Sequence, residues 1–211
     1  MSEPGSHHHE PHAPETMGAG RLEAFSDAVM AVIITILALQ LRPPNGTSLQ
    51  ALLDRKGDLF IYILAFVFIA IYWNNHHHLL RATTRINGAA MWANMLLLFW
   101  LSLAPVVTDW IKSDPSAQVP VASFGVIALG AAVSYSILVR TLIRANGPDS
   151  LLARAIASDV KGYISLVMYA AAVVFAAASK YTVSVAYALY VAVAIMWLIP
   201  DRRFSRAARE D

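Results

Sequence analysis

Arg21, Glu23, Ser26 and Asp27 stand within seven residues of one another, at the head of an apolar run that extends from Ala28 to Leu41. Charge beside hydrocarbon is costly, so such groups must pair, reach water or serve a function. Two chemistries are open to them: contacting an ion, or anchoring the helix that follows.

Helical phase separates these roles. At 100° per residue and with Val32 as reference, Ile36 lies at about +40°, Leu39 at about −20°, Thr35 at about −60° and Phe25 at about +20°. These residues form one stripe. Asp27 lies about 140° from it and Ser26 about 120° away on the other flank. The stripe and the charges therefore face different surroundings, and Asp27 must find partners on neighbouring helices or become protonated.

A second polar cluster, Tyr72-Trp73-Asn74-Asn75-His76-His77-His78, ends a later apolar run. Adjacent histidines on a helix diverge by about 100°, whereas metal-binding pairs favour i and i+4. Neither a metal site nor a cofactor is expected. Asn74, Asn75, His76 and His77 are instead candidates to hydrogen-bond Ser26 and Asp27, with Arg21 as a further partner. Histidine makes such a network sensitive near neutral pH.

The elements that carry these residues belong to a membrane. Of 211 residues, 57% are hydrophobic and 14% charged, against roughly 25% charged in soluble domains. There is no cysteine, which removes disulfides, thiolate metal sites and cysteine nucleophiles. A net charge of +2 argues against a nucleic-acid partner.

Six segments approach the ~20 apolar residues a span requires. The first runs from Arg21 to Leu41. The others are uncharged over Leu59–Leu80, Ile86–Thr108, Pro115–Val139, Gly162–Ser179 and Tyr181–Pro200. The first spans only if it begins near Arg21 and keeps its polar head in protein or a wet vestibule. Pro43-Pro44-Asn45-Gly46 ends it. Lys180 alone separates the last two, which should form a tight hairpin. Residues 1–20 read as a disordered tail in which His7-His8-His9 is solvated, and 201–211 as a basic tail drawn to anionic lipid. With six spans, eleven of the sixteen Lys and Arg fall on the side of the termini, so both termini should be cytoplasmic. Trp100 is the one tryptophan expected mid-span.

Arg21-x-x-x-Phe25-Ser26-Asp27 is an RxxxFSD sequence, and Tyr72-Trp73-x-x-His76-His77 accompanies it. Together they resemble the endosomal and lysosomal potassium channel family, transmembrane protein 175, in its small prokaryotic form. The resemblance implies an all-α membrane protein with six transmembrane helices per protomer, assembled as a homotetramer whose first helices surround the pore. Carried over by position, the constriction falls on Val32, Ile36 and Leu39, and the selectivity threonine on Thr35. The resemblance further implies potassium as the permeant ion, with membrane lipid and further copies of the chain as the expected partners in the cell membrane. Val32 is smaller than the isoleucine or leucine common in the family, which widens that ring.

No TVGYG-type filter is present, so backbone carbonyl rings are not the selectivity device. A secondary transporter or proton-coupled carrier is the alternative reading. Such proteins place charges mid-membrane or break helices in paired halves, and neither pattern is evident. The absence of paired mid-membrane aspartates and of an HExxH helix argues against an enzyme.

Overall fold

The computed structural model describes residues 18–150, 152, 153 and 160–199, all helix and connecting loop. Apart from residues 18–20, the two expected tails lie outside the described residues.

α1 (Ala19–Leu39) starts at the extended Gly18 and has 21 residues, about 31 Å at 1.5 Å per residue, enough to cross the hydrocarbon. It therefore includes its charged head, as the length argument requires. Its buried positions are Leu22, Ser26, Met30, Ile33 and Leu37, the three- and four-residue spacing of one helical face. A loop with Gly46 at φ 116° follows, a conformation that glycine adopts without a Cβ clash. It leads to the short α2 (Leu49–Leu53), capped by Ser48.

α3 (Lys56–Arg81) carries the histidine cluster in its last turns. The third expected span is two helices rather than one: α4 (Gly88–Ser102) and α5 (Ala104–Ser113) meet at Leu103. Pro105 in the first turn of α5 explains the break, since it has no N–H to continue the ladder and its ring crowds the preceding turn. α6 (Gln118–Asn146), α7 (Val160–Ala178) and α8 (Val183–Leu198) complete the described helices. α7 and α8 form the expected hairpin, closed by the Thr182 hydroxyl donating to the Ser179 carbonyl at 2.8 Å.

Among the described residues, five stretches are apolar and long enough to cross a membrane: α1, α3, the α4–α5 unit, α6 and α7, with α8 shorter at 16 residues. α6 packs against α4, α5, α7 and α8, while α1 packs mainly on α3, with further contacts to α4 and α5. Small residues let these helices approach. Gly130 on α6 lies where the Trp100 ring fills the space a Cβ would need, and Gly125 does the same for Tyr190 and Val173. Trp100 thus sits mid-span because it packs on another helix.

A polar seam beside an exposed apolar stripe

Ser26, Asn94 and His76 come from α1, α4 and α3, and each is 0% exposed. The Ser26 hydroxyl donates to the Leu22 carbonyl at 2.8 Å, and Asn94 Nδ2 donates to Ser26 Oγ at 2.9 Å. Asn94 Oδ1 lies 2.7 Å from His76 Nε2. With the Asn94 amide oriented by Ser26, its oxygen can only accept, so His76 Nε2 carries the proton. The result is one directed chain, His76 to Asn94 to Ser26 to Leu22. His76 Nδ1 is buried without a partner, which suits a lone pair better than a second N–H.

His77 takes a different neighbour. Its Nδ1 lies 2.8 Å from Glu23 Oε1. This contact is within ion-pair distance, but Nδ1 makes no hydrogen bond. The distance supports an electrostatic contact rather than a directed hydrogen bond. His77 also stacks on Trp73, with centroids 5.9 Å apart. Asp27 Oδ1 is buried without a hydrogen bond, and a carboxylate oxygen of Glu23, one of Asp27 and a ring nitrogen of His77 fall within 4.8 Å of one another. This juxtaposition arises from packing, not from the run of three histidines.

The other candidates stand apart. Arg21 is exposed and makes no ion pair among the described residues. Asn74 is exposed, and Asn75 Nδ2 donates to the Ile71 carbonyl at 2.8 Å within its own helix. Asn94 was missed in the sequence. The signal was there, since an asparagine inside the apolar run Ala89–Leu101 needs a partner in the membrane.

Val32, Ile36 and Leu39 lie on the exposed face of α1, 58%, 42% and 79% exposed in the single chain. Phe25 and Thr35 share that face. The Thr35 hydroxyl donates to the Ala31 carbonyl at 2.8 Å. Its proton is thereby engaged, and its oxygen lone pairs remain available to a cation or to water. Beside the stripe run Ala24, Ala28, Ala31, Thr35 and Ala38, all exposed. The exposed side of α1 thus pairs a bulky apolar stripe with a ridge of small residues.

The sequence profile described as "Endosomal/lysosomal potassium channel TMEM175" matches residues 21–105, which include both polar clusters and α4. A potassium channel of Chryseobacterium sp. (strain P1-3) is 44% identical over 195 residues, covering 92% of this chain and all of the relative. The chain belongs to the TMEM175 family. A second relative, a potassium channel of Chamaesiphon minutus, is 30% identical over 67% of this chain and 73% of its own length. The crystal structure of a lysosomal potassium-selective TMEM175 homolog from that organism is similar, with a TM-score of 0.70 and 25% identity over 85% of this chain and 97% of that one. A variant of the potassium channel MtTMEM175 shares the fold, with a TM-score of 0.60 at 17% identity. The TMEM175 relatives are named as channels rather than enzymes, in agreement with the sequence reading.

Proposed function

We propose that this chain is one protomer of a homotetrameric potassium channel in the cell membrane, with α1 at the central axis. One pore-lining helix cannot enclose a pore, so several copies must contribute it. The observation that carries the reading is the two-part exposed face of α1. Its alanine ridge allows neighbouring copies to approach closely, which supports an arrangement with Val32, Ile36 and Leu39 toward the axis. The family relationship supports the same arrangement.

In this arrangement the three apolar side chains form stacked rings that block ions by excluding water when narrow. Thr35 supplies the one polar side chain between Val32 and Leu39. Four threonine oxygens would replace part of the hydration shell of a passing ion. Sodium holds its water more tightly than potassium, so partial dehydration penalises sodium more. Six spans per protomer, with α8 as the short sixth, put both termini on the cytoplasmic side and agree with the excess of Lys and Arg there. Ser26, Asn94 and His76 then brace the cytoplasmic half of each pore helix from behind.

Flux from proteoliposomes tests the function. A channel gives passive K⁺ efflux driven by the potassium gradient alone, and valinomycin added at the end serves as the control for total releasable K⁺. Flux that appears only with an imposed proton gradient favours the carrier reading instead.

A further inference from the structure

The C-terminal end of α1 has no basic residue in its own last turn. Its final carbonyls carry the negative end of the helix dipole and need donors. Lys112, from α5, supplies one: its Nζ donates to the Gln40 carbonyl at 3.2 Å, across 72 residues of sequence. The Lys112 side chain is only 10% exposed, whereas that of Asp109, 3.8 Å from it, is 60% exposed. Gln40 Oε1 is buried nearby in the chain without a hydrogen-bond partner, so this helix end is rich in acceptors. The next carboxylate, Asp114, is tied to the Ser116 hydroxyl and amide at 2.7 and 2.9 Å. Those bonds hold its carboxyl below the usual carboxylate range. Lys112 is thus a nearly buried ammonium seated on the end of α1, with one exposed acid beside it.

We propose that Lys112 is a positioning residue for the non-cytoplasmic end of the pore helix and, together with Asp109, sets the electrostatic field at that mouth. The inference rests on α1 lining the pore. Leu39, the most exposed residue of the stripe, immediately precedes Gln40. Each protomer therefore holds one Lys112 and one Asp109 at the level of the outermost ring, on the side of α1 that packs against α5. A fixed cation there lowers the local K⁺ concentration on that side alone, and the adjacent carboxylate offsets it. Conduction is then asymmetric: ions entering from this mouth meet a field that ions entering from the cytoplasm do not.

The test is the current–voltage relation of excised inside-out patches in symmetric KCl. Lys112→Met should raise inward relative to outward current about twofold at about 20 mM KCl, with the difference fading near 1 M as the Debye length shrinks to ~3 Å. Asp109→Asn, at an exposed site, should shift the ratio the opposite way. Lys112→Arg should keep the wild-type ratio. A structural role alone changes current amplitude or thermal stability without opposite, salt-screened shifts in rectification. A conducting wild type whose rectification is the same in Lys112→Met and Asp109→Asn overturns the inference while leaving the channel reading intact. A wild type that carries no K⁺ current overturns both.

Discussion

Asn94 Nδ2 donates a 2.9 Å hydrogen bond to Ser26 Oγ across 68 residues of sequence, and both side chains are fully buried. This bond joins the pore-helix candidate to α4, and the other end of the same amide joins it to His76 on α3. Removing the amide orphans His76 Nε2–H and leaves a small cavity. Asn94→Ala should therefore destabilise the protein by about 2–4 kcal/mol, measured as a loss of thermal stability in detergent. Asn94→Asp keeps an acceptor for His76 and should cost less. Equal stability of wild type and Asn94→Ala would show that the seam does not brace α1.

The Trp100 ring lies over Gly130, so even a methyl group has no room there. Gly130→Ala should cost about 1–3 kcal/mol through overpacking. Pairing it with Trp100→Leu should recover part of the loss, because the two residues share one space and their effects are not additive. Thermal melts of the two single variants and the double variant give the coupling directly.

Asn146, at the end of α6, holds the loop between α3 and α4. Its Oδ1 accepts from Thr84 N, Thr84 Oγ1 and Arg85 N at 2.8–3.0 Å, and its Nδ2 donates to the Arg85 carbonyl at 3.0 Å. The site is partly exposed, so water replaces some of these bonds. Asn146→Ala should cost only about 1 kcal/mol but should clearly speed amide exchange at Thr84 and Arg85. Unchanged protection of those two amides would contradict the assignment.

Thr35 Oγ1 has spent its proton on the Ala31 carbonyl, so only its lone pairs face outward. Thr35→Ala removes them without disturbing the buried face of α1. The expected result is a several-fold fall in the K⁺/Na⁺ permeability ratio, read from bi-ionic reversal potentials, with K⁺ current retained. An unchanged ratio would remove Thr35 from the selectivity mechanism.

Much of α1 was legible in the sequence because one helix has one period. The phase that set Val32, Ile36 and Leu39 apart from Ser26 also separates exposed from buried positions in the fold. The need to include Arg21 followed from length alone. The partners of Ser26 were less legible. They depend on how three helices pack, and the histidine next to Ser26 in the reading reaches it only through Asn94. The break at Leu103 was missed because the run from Ile86 to Thr108 is uncharged throughout, and hydropathy does not register the backbone effect of Pro105. Glu23 meets His77 because α1 and α3 pack side by side, a contact that no spacing within either segment reveals.

The absence of cysteine allows a direct test of whether the exposed stripe lines the ion path. Single cysteines are placed at Val32, Ile36 and Leu39, and at the buried positions Ile33 and Leu37, and K⁺ current is followed as Ag⁺ is added. With α1 at the axis, Ag⁺ should irreversibly block Val32→Cys, Ile36→Cys and Leu39→Cys, and spare Ile33→Cys and Leu37→Cys. Block of the buried pair with no effect at the three stripe positions would contradict the account.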